Sequence, residues 1–586
     1  MTSPVLPQHD PNPEQRRQQV AQQDASNPVV YDRFTGLAFA PSVPPSDRPA
    51  AAWLATVAEV LVRVGLNAAE VDRRLSSLHP EHPEHHAVLE LLHDAEKGGA
   101  HAAFDFLVGL VQGQDDDVPA SSLADYEALF RRLPVPACAT EVHDDLWFAR
   151  MRVAGPNPMS LQRVDAAPFA LTEAAFARSM GTFAARGVDV SGATLASAAA
   201  EGRLFVADYS GLRGVEGGTW GGRQKYLFGP VALFASVGAA RTLVPVAIRA
   251  DDDPVGPADG LAWQRAKTVT TVADGNVHQA VIHLAHTHLV LEAVVLAARR
   301  SLAPTHPVAR LLAPHFEGTL YINDAADQKL AAPGGGVDAV MGGPITFSRA
   351  AAVSGAQTWS FRGSMLPREL RARGVDDPET LREYPYRDDA LLVHAAIHRW
   401  VEAYLRTWYG SDGDVAGDVE VRAMFGWLGA PDGGRLRDVP VPVTVADLVD
   451  AVAHVVFTAS AQHAAVNFPQ LTIMSYAPAF PLAGYRAGAL GTEADWFSLL
   501  PPLPQAHFQA TLGLLLGSVH HTSLGGYPHH LFGLGGNFAG DPRIDPALAS
   551  FQADLRAVEA VIDQRNRGRA PYPFLLPSRI PQSINI

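Results

Sequence analysis

Between Val277 and Ala298 the chain reads VHQAVIHLAHTHLVLEAVVLAA, long enough to cross a bilayer yet carrying His278, His283, His286, His288 and Glu292. Polar groups inside a bilayer are costly and rare. A helix that is apolar on every side is otherwise buried in a large soluble core. The second placement is expected here, and it demands enough protein to cover the helix all round. The chain supplies it: 586 residues, 47% hydrophobic and only 18% charged. That composition excludes overall disorder.

Spacing decides what the histidines can do together. An α-helix turns about 100° per residue, so residues four apart sit roughly 40° apart on one face. In FTASAQHAAVNFPQ, His463 and Asn467 are four apart and can both address one ion. His278, His283 and His288 are spaced by five. In a regular helix that leaves neighbouring members roughly 140° apart. They converge only where the helix widens to i→i+5 hydrogen bonding, a rare geometry that recurs at functional sites. A π-bulge is therefore expected between His283 and His288. Spacing alone leaves two readings open: core histidines with hydrogen-bond partners, or one joint metal site.

The rest of the chain narrows the class. A net charge of -15 and no clustered basic face argue against nucleic acid as a partner. The single cysteine, Cys138, excludes a disulfide framework and a thiolate metal cluster. The start, MTSPVLPQHDPNPEQRRQQ, has no apolar core of a secretory signal, so a cytoplasmic location is expected. Residues 1–30 are polar and Pro/Gln-rich and read as a flexible tail.

From Ala50 to Val111 the pattern is helical, broken by HPEHPEHH at His79 to His86, which reads as a solvated loop, and Asp115 to Asp117 read as a surface break. Strand-like runs GRLFVADYS, YLFGPVALFASV and RTLVPVAIRA lie between Gly202 and Ala250 and predict a small antiparallel sheet. Long apolar helical stretches follow at 277–301, 389–409, 444–467, 505–521 and 545–566. The fold class is mainly α, with one large core and a minor β element. Adjacent pairs His520-His521 and His529-His530 point about 100° apart on a helix, so they read as surface or lining residues.

The segment VHQAVIHLAHTHLVLEAVVLAARRSLAPTHPVARLLAPHFEGTLYIN resembles the iron-binding helix and following connector of the lipoxygenases. Four further motifs occur in the family's order: FARMRVAGPNP, the pair GPVALFASV and LVPVAIRA, EYPYRDDALLVHAAIHRWVEAYL, and FTASAQHAAVNFPQ, with RIPQSINI ending the chain like the family's terminal Ile. The resemblance covers roughly Glu141 to Ile586. It implies a lipoxygenase-like helical catalytic domain over 141–586, preceded by a helical segment, 31–140, packed on it and able to cover the substrate entrance as a lid. The β-barrel with which plant and animal members begin is not expected.

Carried over position by position, the resemblance implies five metal ligands: His283, His288, His463, Asn467 and the α-carboxylate of Ile586, the last only where the chain ends there. His278 would stand just outside the metal's sphere. Gln279 and Gln470 would link substrate, Asn ligand and metal by hydrogen bonds. Leu330 would clamp the substrate diene, Ala326 would accompany S-configured products, and Leu514 to Leu516 would add channel wall. The implied function is a non-heme iron dioxygenase that takes a polyunsaturated fatty acid and O2 as partners. Its ferric hydroxide abstracts the bis-allylic hydrogen of a cis,cis-1,4-pentadiene, and an S-hydroperoxide results. Neutral imidazoles and an amide donate less charge than carboxylates and so favour a reducible ferric centre. No transmembrane segment is expected, and contact with membranes would be transient and at the surface.

Three alternatives stay open. Within the family these are manganese in place of iron, or a hydroperoxide-isomerising activity. A non-catalytic lipid-binding homologue is the second, against which all five ligand positions are intact. The third is a zinc hydrolase built on His283, His288 and His463, which would want a carboxylate base as in HExxH. No Glu follows His283, and Glu292 lies a turn beyond His288.

Overall fold

The computed structural model describes residues 4–78, 118–250, 253–527, 538 and 541–586. The stretches AVLELLHDA and AHAAFDFLVGLVQG, the His79 to His86 loop, Asp115 to Asp117 and His529-His530 lie outside the described residues. The lid expected over 31–140 rests in part on them.

Helix α1 spans Pro13–Ser26 and α2 spans Ala51–Leu78. A continuous helix, α3, runs over Leu261–Ser301. It is long and apolar enough to cross a membrane, but protein packs against it throughout: 78% of its most apolar window is buried. Further helices are α4 (Thr319–Ala325) and α5 (Ile345–Thr358), which pack on α3, and α6 (Pro385–Leu405), α7 (Val445–Phe457), α8 (Leu503–Leu516) and α9 (Asp545–Gly568). The start of α7 is locally encoded. Thr444 accepts from the Asp447 N–H, and Asp447 returns a bond to the Thr444 N–H, a reciprocal cap that satisfies two otherwise orphaned donors.

The minor β element is a four-stranded antiparallel sheet in the order β1 (Gln162–Val164), β2 (Leu204–Asp208), β3 (Val231–Val237), β4 (Thr242–Arg249). β3 is buried on both faces, and the period of two sorts its side chains. Ala232 and Phe234 join the main helical core; Val231, Leu233, Ala235 and Val237 pack with Phe176 and Phe183 in a second apolar cluster. Pro245 sits in β4 opposite Phe234, where the register shifts between Leu233 and Phe234. A residue with no N–H belongs at such a bulge on an edge strand. Of the expected run from Tyr226, only Val231 onward is strand; Tyr226 instead bridges to Gly484.

One expectation is corrected. Among the described residues 4–30 the expected flexible tail is instead structured: Pro13–Ser26 is helical and packs on α3. Its anchor is Arg16, 4% exposed, which pairs with Asp10 and Glu420 and donates to the Val5 carbonyl. Hydrophobicity misses a segment held by a buried ion pair, because the partner carboxylate lies 404 residues away. The Asp388-Asp389 pair makes structural links, Asp388 with Arg387 and Asp389 with Arg565 and Arg569.

Candidate metal centre and apolar cavity

In the middle of α3, the twelve residues His278–Leu289 are π-helical. One turn there closes at i+5, so His283 and His288 point the same way. The continuation of α7 through Thr458–Gln462 and His463–Asn467 brings His463 to them. The three Nε2 atoms lie 3.3 Å (His283 to His463), 3.3 Å (His288 to His283) and 3.2 Å (His463 to His288) apart. Three more π turns occur among the described residues: Ala326–Leu330, Thr458–Gln462 and Gln470–Met474. Each adjoins or contains a residue singled out from sequence.

A one-way hydrogen-bond chain shows which ring nitrogens carry protons. The Leu516 carbonyl can only accept, so Asn467 turns its Nδ2 to it, at 3.0 Å. Asn467 Oδ1 then accepts from Gln470 Nε2 at 2.7 Å, and Gln470 Oε1 from Gln279 Nε2 at 2.8 Å. Gln279 Oε1 is left facing His283 Nδ1 at 3.2 Å. That oxygen needs a donor, so His283 carries its proton on Nδ1 and its Nε2 lone pair is bare. His288 is settled alike: Asn323 Nδ2 donates to the His288 carbonyl, which leaves Asn323 Oδ1 to accept from His288 Nδ1 at 2.8 Å.

Burial keeps the rings neutral. It pushes His288 down to about 4 and His283 and His463 well below the ordinary histidine range; the neighbouring rings push the latter two further. The bare Nε2 lone pairs of His283 and His288 face each other at 3.3 Å and repel. A cation between them removes the conflict, so the donor set fits a metal ion. Imidazole donors without thiolate suit iron, zinc, copper or nickel. Among the described residues the cluster contains three histidines and no side-chain carboxylate, which disfavours the hydrolase alternative.

Asn467 is linked to the trio through Gln470 and Gln279, and Ile586 through a shared cavity lining. Asn467 follows His463 by one turn in the α-helical stretch His463–Asn467. Ile586 is 5% exposed and lines one cavity with His283 and His288. The segment before it threads the core with its carbonyls captured: Gln582 by His315 Nδ1 at 2.7 Å, Ile584 by Thr319 Oγ1 at 3.2 Å, Asn585 by Trp53 Nε1 at 2.9 Å. Gly318 (φ +80°) permits this path, since a Cβ there would lie 3.0 Å from the Asn585 Cβ.

His278 stands outside the trio. Its Nε2 donates to the Val466 carbonyl at 2.8 Å, and its ring stacks on His283 at 5.8 Å. His286 also stays out, bonded to the Gly355 backbone. His520 lines a separate cavity, and His521 approaches Glu317 at 3.9 Å.

The cavity at the trio is apolar, and Ala326 and Leu330 line it. Of Leu514 to Leu516 only Leu516 does, joined by Leu512. Sequence reasoning missed Phe34 and Arg349, which share this lining with the guanidinium 4.1 Å from the ring centre. It also missed Asn323 as the partner of His288. No local signal marks Phe34, because it arrives from the segment read as preceding the catalytic domain.

Comparison with known proteins agrees with this geometry. A family model described as Lipoxygenase matches residues 254–571. The linoleate 9/13-lipoxygenase of Pseudomonas aeruginosa is 38% identical, over 95% of this chain and 88% of its own. A coral 8R-lipoxygenase crystal structure superposes with a TM-score of 0.82 at 25% identity, covering all of this chain and 83% of that one. A manganese lipoxygenase structure shares the fold at a TM-score of 0.78 and 21% identity, with complete coverage of both chains.

Proposed function

The chain belongs to the lipoxygenase family of fatty-acid dioxygenases, and from that premise we propose that it converts polyunsaturated fatty acids to S-hydroperoxides with one non-heme iron. The ligands in this reading are His283, His288, His463, Asn467 and, where Ile586 is the last residue, its carboxylate. When bound, the iron supplies the one-electron oxidation that accompanies removal of the bis-allylic hydrogen.

The observation that carries the reading is the convergence of three Nε2 atoms within 3.3 Å beside an apolar cavity that Ala326, Leu330 and Ile586 also line. Each residue has work there. Gln279 and Asn323 hold His283 and His288 with their lone pairs inward. The Gln279–Gln470–Asn467 chain ties the two ligand helices, so a shift at one amide is felt at the other. Leu330, Leu512 and Leu516 hold a hydrocarbon chain and keep water out, which protects a carbon radical from side reactions. The small Ala326 side chain leaves room for O2 on one face of the diene. The same imidazole donors would accept manganese, the metal of one structural neighbour.

The test is metal quantification on the purified protein, with conjugated-diene absorbance and chiral chromatography of products from linoleate and arachidonate. Iron near one per chain and S-hydroperoxide are expected. Manganese at that stoichiometry replaces the iron reading, and a metal-loaded protein that forms no conjugated diene from either acid sinks the activity.

A further inference from the structure

A buried carboxylate beside the ligand His288 has no part in the chemistry above. Glu292 is 2% exposed and stands one turn after His288 on α3. Its Oε1 accepts from the Ala40 N–H at 3.0 Å and its Oε2 from Asn323 Nδ2 at 2.8 Å. Asn323 spends its other amide hydrogen on the His288 carbonyl at 3.0 Å, which turns its Oδ1 to His288 Nδ1. Ala40 closes the N-terminal loop in which Val30 and Phe39 exchange backbone hydrogen bonds at 2.9 and 3.0 Å. Arg33 of that loop pairs with Asp324 and Asp327, beside Asn323 and Ala326.

We propose that Glu292 is a positioning residue of the metal centre: through Asn323 it holds His288 with a bare Nε2, and through Ala40 it ties the loop over residues 30–40 to that ligand. The inference rests on the metal-centre reading above. Here both oxygens must accept. An amide in their place always sets an NH2 against the Asn323 NH2 or the Ala40 N–H. The first clash turns Asn323 over and sends His288 to the wrong tautomer; the second releases the loop that braces Asn323 from outside.

The experiment uses the full chain stripped of metal by chelation, with cobalt(II) binding measured by calorimetry. The melting temperature is read with and without cobalt. Glu292→Gln and Asn323→Leu should each bind cobalt 10- to 100-fold more weakly, the usual cost of losing a partner behind a histidine ligand. A structural role alone would lower the melting temperature equally with and without cobalt and leave the cobalt-induced shift unchanged. That result, or parental binding by E292Q, overturns the proposal. A parent protein that takes up no cobalt overturns the metal-centre reading itself.

Discussion

His283 Nε2 lies 3.3 Å from His463 Nε2, although 180 residues separate them in the chain. Both rings are buried and neutral, and the bare His283 lone pair also meets that of His288 at 3.3 Å. Metal binding should therefore stabilise the fold strongly. Ligand linkage gives about 4 kcal/mol at a free metal concentration a thousand times Kd. Calorimetric melts before and after chelation check this, and an unchanged transition would falsify a metal held by these rings.

Extension of the chain by one glycine beyond Ile586 tests the terminal ligand. The captured carbonyls of Gln582, Ile584 and Asn585 hold this segment in place, so an added residue would carry the carboxylate away from the histidines. Loss of metal and of activity is expected, with little change in the metal-free melting temperature. A fully active extended protein removes Ile586 from the ligand set.

Gln279→Leu cuts the chain that sets the His283 tautomer. The His283 Nδ1–H loses its acceptor at 3.2 Å, and a proton moved to Nε2 would block that donor. A 10- to 100-fold loss in metal affinity or activity is expected. Metal titration of the variant checks it, and parental affinity would mean that packing alone orients the ring.

Ala326 lines the cavity in the π turn that also holds Leu330. Removing its methyl opens the opposite face of a bound diene to O2. Ala326→Gly should shift products from S towards R by chiral chromatography, with metal content unchanged. Unchanged stereochemistry would move control of oxygen access elsewhere.

Acid should destabilise the protein well above the carboxylate range. Burial holds His315 and His394 down to about 4 and His454 to about 3. The unfolded chain takes up these protons near pH 6.5 and the folded chain does not. Stability is thus intact above about pH 6.5 and falls as pH drops, by about 1.4 kcal/mol per unit per histidine, until the folded pKa is reached. His454 has no hydrogen-bond partner at either ring nitrogen among the described residues and stacks on Trp359 at 5.6 Å. His454→Phe should recover about 2 kcal/mol at pH 5, measured by denaturant melts at pH 5 and 7; equal stability of parent and variant at pH 5 would refute it.

Much of this site was legible in the chain. The five-residue spacing of His283 and His288 called for a widened helix, and the four-residue spacing of His463 and Asn467 for a shared face. Local geometry carries both, because a helix converts sequence separation into direction. The ordered motifs supplied the family and, with it, Ile586, Gln279 and Gln470. Alternating apolar runs marked three of the four strands, but not the three residues of β1, too short to show a period.

Sequence by itself determined which residues can face one way from one rod, since that depends only on bonds to near neighbours. Tertiary structure decided which rods meet and which proton each ring keeps. The Leu516 carbonyl that orients Asn467, the Asn323 amide that orients His288 and the Glu420 carboxylate that anchors Arg16 are each 35 or more residues from the group they govern. Such contacts depend on how the whole core packs, and no local pattern encodes them.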